Sequence, residues 1–499
     1  MEVCHLRDMP QAQGQVRTEG SMIYGPGLSR PRDGNIGLDP KVPISSLRLE
    51  GSIPSAELFR AFMSEYLPTE INQERPAVDG VTSLSWLESL SRNSKRGPLL
   101  NMALEALSLS FIGRKRGKAE LEDREMRTLA RLARVSTAEH SQVVDILGAA
   151  TVLAIYQLYN CERGRFDSWI VHAQAAWKLL EEQGPEARID RSLLCRIRTC
   201  ALYDACGRRE STFLARPEWR RRVSKGRPFE HLLDIMLDVP CIQELSDKIV
   251  CGNYGSSQRQ HLKGKFIDRF LETEARLQQC YTDFLSKQEA CPFPNYPIAM
   301  TDIHLLQGSP DLISLFQRAI NFPGRNTAQF LLLSWTGFVI IYSEMSTVMR
   351  QTNFSLARED ALLPDGSYGV SRTWFVNECN FVFQQWEHSP RTCPDFEKAA
   401  GVFANRICES VALCDKGTHG LAMRQPLLPA LWVATQFFKD RSLPRYRWCQ
   451  IVLESFAQKG MNYASEMAWN SYNGYCEASN ILNKNLSMLK EGSLSPMEM

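Results

Sequence analysis

An all-α fold is what this sequence predicts, and three observations predict it. Apolar residues recur three and four apart through most of the chain, the spacing that lines one face of a helix. Alternating apolar and polar runs, the mark of half-buried strands, are scarce. The stops between apolar stripes are Gly, Pro and short polar links, which end helices. No repeat at a solenoid-like period stands out. The expected architecture is therefore an irregular stack of helix hairpins forming one large domain over residues 55–480. A flexible arm at 1–54 and a polar tail at 481–499 flank it.

Each element has its own reason. Residues 1–50 hold six Gly and five Pro with balanced charge and no helical stripe, so they read as a flexible arm. Pro54-Ser55 opens a helix through Leu58, Phe62 and Tyr66. Pro98 suits the first turn of another, striped by Leu100, Ala103, Leu104, Leu107 and Phe111. Residues 119–135 supply a strongly charged one. The stretch 142–185 then reads as two helices and a link, with Val143, Ile146, Leu147, Ala150, Leu153, Ala154 and Leu158 along the first. Asp167 or Ser168 can cap the second, which places Trp169, Ala173, Ala176 and Leu180 on one face and stops at Gly184-Pro185.

Downstream, helices are expected over Arg191 to Cys206, 229–250 (with Pro240 kinking it or ending a turn), 259–287 and 325–350. Residues 352–371 read as a loop. Trp374 to Trp386 and Phe396 to Leu413 read as helices. Pro426 to Phe438 begins with prolines that fit a first turn, and Ser442 can cap a last helix ending at Lys459-Gly460.

Composition excludes several classes. With 44% hydrophobic and 23% charged residues, the 499-residue chain is ordinary globular material with a large core. A net charge of +2 gives no overall drive toward nucleic acid or membrane. The opening MEVCHLRDMPQAQ has no apolar segment of a secretory signal. The longest apolar run, Phe330 to Tyr342, is too short to span a bilayer and reads as a buried helix. Fifteen cysteines without a secretory signal imply reduced thiols in cytosol or nucleus, which leaves the sequons at Asn353 and Asn485 without weight.

No catalytic or metal motif emerges, and no cofactor is expected. Cys195, Cys200 and Cys206 lie five and six apart, on different faces of a helix, and read as buried thiols rather than zinc ligands. Cys379, Cys393, Cys408 and Cys414 read the same way. His172 shares a face with Trp169, but no nucleophile or carboxylate is placed to make it a base, so it reads as a hydrogen-bonded structural anchor. Asp234 and Asp238, four apart on a helix, could hold magnesium. Without a second acidic segment they read as a solvated face. Phosphate loops, dinucleotide fingerprints, zinc-protease helices and nucleophile elbows are missing.

A family resemblance runs through the same segments. The apolar helix, the charged link, Trp169-x-x-His172, Ala175-Ala176, Leu179-Leu180 and Gly184 resemble the core of the fungal-specific transcription factor regulatory domain. Cys195 to Arg209 resembles its next helix. Phe213-Leu214-x-x-Pro217-Glu218-Trp219 resembles its phenylalanine-leucine to tryptophan segment, with Trp219 as an anchor. Gln425-Pro426-Leu427-Leu428 with Ala430-Leu431-Trp432 resembles a late helix. The likeness covers roughly residues 55–475 and rests on the order of degenerate motifs. It implies a nuclear, non-enzymatic regulator of transcription of a fungal gene set, extending to metabolite biosynthesis, with transcription-associated proteins as partners. An adaptor on the same fold and a helical enzyme with an unrecognised site are the rivals. In that family a binuclear zinc cluster of six cysteines normally precedes the domain, but here only Cys4 precedes Cys161. Specific DNA contact is thus expected from a DNA-binding partner, with homodimerisation left open.

Residues 208–227 hold eight Lys or Arg against Glu210 and Glu218, a net of +6 in a chain whose total is +2. Clustered like charge persists most easily where a partner is acidic. Arg220, Arg221, Arg222, Lys225 and Arg227 are the candidates for recognition by nuclear import machinery. A solvated loop beside a helix is the alternative.

Overall fold

Helix α1, Ser55–Tyr66, buries Leu58, Phe62 and Tyr66 as the stripe predicts. A computed structural model describes residues 54–67, 85–92, 96–116, 119–136, 143–162, 164, 167–220, 227–286, 295–296, 310–316, 319–320, 322, 324–353, 391–415 and 421–470. All of them fall in one compact unit. The expected arm, the 352–371 loop beyond Asn353, the Trp374 to Trp386 helix and the tail lie outside these residues.

Helices α2 (Ser85–Arg92), α3 (Pro98–Arg116) and α4 (Ala119–Ser136) follow. The amides that α3 exposes at its start are satisfied from a distance. Leu99 and Leu100 donate their N–H groups to the two carboxylate oxygens of Asp145, at 2.9 and 3.1 Å. Asp145 is buried on α5, Val143–Asn160. Its carboxylate comes so close that a Cβ on Gly97 would lie 2.2 Å from Asp145 Cγ, so only glycine fits there.

Helix α5 forms a hairpin with α6, Asp167–Gln183. The second helix starts at Asp167, so Asp167 and Ser168 lie in its first turn. The Ser168 hydroxyl donates to Cys161 Sγ. Gly184 ends the helix at φ +77°, as expected. Helix α7, Arg191–Arg208, is capped by Asp190, which accepts from the N–H groups of Ser192 and Leu193. That cap is readable in the sequence as an Asp before a stripe.

After a 3₁₀ turn at Phe213–Ala215 come α8 (Pro217–Arg220), α9 (Pro228–Met236), α10 (Val239–Cys251) and α11 (Ser256–Ser286). The single helix expected over 229–250 is two. The break falls at Leu237-Asp238, and Pro240 sits in the first turn of α10, where its missing N–H costs nothing. A two-residue strand, β1 (Asn295–Tyr296), pairs antiparallel with β2 (Ala319–Ile320), on either side of α12 (Pro310–Ile313).

Helix α13, Arg325–Thr352, is the central element. It packs against α9, α10 and α11. It also meets α14 (Cys393–Glu409) and α16 (Arg424–Lys439). The rings of Phe338 and Phe403 stack at 4.5 Å between α13 and α14. A Cβ on Gly337 would meet Met236 Sδ at 2.5 Å, so glycine permits the close crossing with α9. By length and composition α5 and α13 could each cross a membrane, so the apolar run is less short than the sequence implied. Yet 67% and 89% of their apolar windows are buried inside the protein.

The helix expected over Phe396 to Leu413 is also two, α14 and α15 (Val411–Asp415), parted at Ser410. Thr392 and Asp395 form a capping box at the start of α14. Helix α16 begins at Arg424. Pro426 fits its first turn, but Pro429 lies in its interior. Helices α17 (Leu443–Gln458) and α18 (Tyr463–Trp469) close the fold. Ser442 precedes α17 without its side chain capping it, and Gly460 turns the chain at φ +93°.

Candidate functional site

Seven helices leave a cavity where they meet. Its apolar walls include Leu158 of α5, Met236 of α9, Ile340 of α13 and Met467 of α18. Trp169 of α6 and Trp432 of α16 supply aromatic surface, and Tyr203 and Arg196 come from α7. The empty space totals ≈ 800 Å³, including the part open to solvent, and ≈ 70 Å³ of it admits the centre of a water-sized molecule.

The charges on α7 make this cavity unusual. The helix is buried on nearly every side, so charges along it must be neutralised internally. Two of them are. Arg198 pairs with Asp234 of α9. Asp204 accepts from Gln174 Nε2, Trp177 Nε1 and Arg208 Nε at 3.3, 3.2 and 3.0 Å. Arg196 is the exception. It is 7% exposed, its Nε has no hydrogen-bond partner, and no carboxylate pairs with it among the described residues. Gln425, 5% exposed on the opposite wall, has neither amide atom satisfied. Pro429, one turn on, cannot donate to the Gln425 carbonyl either.

The thiols and phenols around Arg196 are neutral near pH 7. Burial pushes the thiols of Cys195 and Cys206 up to about 12 and raises that of Cys200. Burial likewise raises the phenols of Tyr203 and Tyr463. Thiols held protonated are poor nucleophiles. The cavity therefore offers one fixed positive charge, one amide and apolar walls, the equipment for holding a ligand.

Of the residues singled out in the sequence, Trp169 lines the cavity and its ring lies 6.2 Å from that of Tyr463. His172 is half-buried on the same helix, and desolvation lowers its imidazole to about 4, so it is neutral. Trp219 is buried edge-on to Phe213 with ring centres 5.0 Å apart, away from the cavity. Cys195, Cys200, Cys206, Cys408 and Cys414 are buried free thiols as expected, and Cys393 is half-buried. Cys379 lies outside the described residues. Among the described residues no group of three or more His, Cys, Asp or Glu is placed to hold a metal.

Asp234 and Asp238 are not a solvated face. Asp234 pairs with Arg198. Asp238 is buried at the α9–α10 break, paired with Arg220 and with Arg276 at 2.9 Å. For the same reason Arg220 is not a free basic residue, since its Nε also donates to the Ala215 carbonyl at 2.8 Å. Arg227 precedes α9, half-buried. Arg221, Arg222 and Lys225 lie outside the described residues.

No family model matches the chain, and no curated protein or solved structure matches it.

Proposed function

We propose that this chain is a nuclear regulator of transcription of a fungal gene set. Its helical domain takes a small molecule in the central cavity and passes the signal to transcription-associated partners. One observation supports this above the others. Three of the segments that carry the family resemblance reach one cavity: Trp169, then Arg196, Cys200 and Cys206 of α7, then Gln425, Leu428 and Trp432 of α16 line it, while the Phe213 to Trp219 segment packs elsewhere. Two buried polar side chains of that cavity, Arg196 and Gln425, carry atoms without a hydrogen-bond partner, which a bound molecule would satisfy. In these 499 residues only Cys4 precedes Cys161, so base reading is assigned to a partner. Metabolite biosynthesis is the gene set this reading favours.

Selection of random duplexes by the pure chain at physiological salt tests that division of labour. The expected result is no enriched motif, with any residual binding falling steeply as salt rises. An enriched motif that survives competitor DNA would contradict it, as would two zinc ions per chain.

Nuclear entry is assigned to the basic stretch, with Arg220 excluded because Asp238 holds it. Alanine at Arg221, Arg222, Lys225 and Arg227 together is expected to abolish nuclear accumulation of a fluorescent fusion. The 56.7 kDa chain plus the fluorescent protein is large enough to need active import. Unchanged accumulation would reduce the stretch to a solvated loop.

A further inference from the structure

We propose that the central cavity binds a compact amphipathic monocarboxylate, its carboxylate on the Arg196 guanidinium and its apolar body against Trp169 and Trp432. This rests on reading the cavity as the small-molecule site of the domain, and it names the ligand class.

The charge comes first. A buried guanidinium without a counter-ion is among the least favourable groups a core can hold, and the other charges of α7 are paired. Among the described residues, Arg196 is also the sole charged one lining the cavity. A single positive charge in such walls is neutralised by a single negative one. A phosphate dianion would bring a second charge with no cation to meet it. The planar guanidinium presents two parallel N–H groups, which match a carboxylate and leave no oxygen of it unpaired. Gln425 contributes an amide with a free donor and a free acceptor, and Pro429 leaves the Gln425 carbonyl without its helical donor. The ligand therefore carries a further hydrogen-bonding group or seats a water beside its carboxylate.

Size narrows the class. The ≈ 70 Å³ open to water centres corresponds to about five waters, or ~150 Å³ of liquid volume. That suits a single-ring or short branched acid and excludes a long-chain one.

The test uses the full chain and three probes: benzoate, phenylacetate and the neutral isostere benzamide. Binding is followed by tryptophan fluorescence, since Trp169 and Trp432 line the site, and by thermal unfolding. Benzoate or phenylacetate is expected to quench the fluorescence and raise the melting temperature, with benzamide at least about tenfold weaker. Arg196→Met is expected to lose about tenfold or more of the carboxylate affinity, leave benzamide unchanged and melt no lower than the parent. A merely structural arginine would not behave so, since removing an unpaired buried charge relieves the core. Arg196→Lys keeps the charge and is expected to restore part of the affinity.

Equal affinity for benzoate and benzamide overturns the proposal, as does carboxylate binding untouched by Arg196→Met, or no binding of either acid at millimolar concentration. A clear fall in the melting temperature of Arg196→Met also overturns it, because a carboxylate of the chain itself would then already occupy the guanidinium. These measurements need neither DNA nor cells. The ligand class and the transcriptional role can therefore fail separately.

Discussion

Glu274→Ala is expected to cost about 3–5 kcal/mol of folding stability, the range for breaking a buried ion pair from one side. Glu274 is 4% exposed on α11, and its carboxylate accepts from Arg391 Nη1 at 2.7 and 2.9 Å. Arg391, just ahead of α14, is itself buried and lies over the Phe396 ring at 5.2 Å. The variant removes that carboxylate from a buried guanidinium. Replacing both partners with apolar residues, Glu274→Leu with Arg391→Met, is expected to come back close to the parent, because neither charge then needs solvating. Denaturant midpoints of the single and double variants check this. A single variant as stable as the parent would show that the pair is solvated.

Trp169→Ala is expected to cost a similar amount, about 3–5 kcal/mol. The indole is buried on α6 against Tyr463. Its loss adds to space already present, since it lines the cavity, and the surrounding helices can close only part of it. Trp169→Phe keeps an aromatic wall and is expected to cost well under half as much. An alanine variant with an unchanged melting temperature would remove Trp169 from the core.

Much of the fold was legible because helix stripes and their punctuation are local. The stripes of α1, α3 and α5, the Gly184 stop and the Gly460 stop are all set by residues within a turn or two. What was not legible is set by distant residues. The start of α3 is satisfied by Asp145 from another helix, so no capping signal precedes Pro98. The break at Leu237-Asp238 is stabilised by Arg220 and Arg276, which the local sequence does not announce. Pro429 reads as a first-turn proline, yet it lies inside α16.

The candidate site was half legible. Trp169 and the Gln425 to Trp432 segment stood out as motifs, and the cysteines of α7 were correctly read as buried. That same reading held a signal it did not use. A helix with thiols buried on several faces must also bury the charges between them, and Arg196 sits beside Cys195 and four residues before Cys200. Finding it required asking where each charge of α7 goes. Its meeting with Gln425 belongs to the tertiary fold and has no local trace.

The proposed control of transcription by this helical domain is tested by tethering. The full chain is fused to a heterologous DNA-binding module, and output is measured from a reporter bearing that module's sites. Output severalfold above or below that of the module alone, lost in the destabilised Glu274→Ala variant, is the predicted result. Output equal to the module alone, from a fusion shown to be folded and nuclear, would contradict the account.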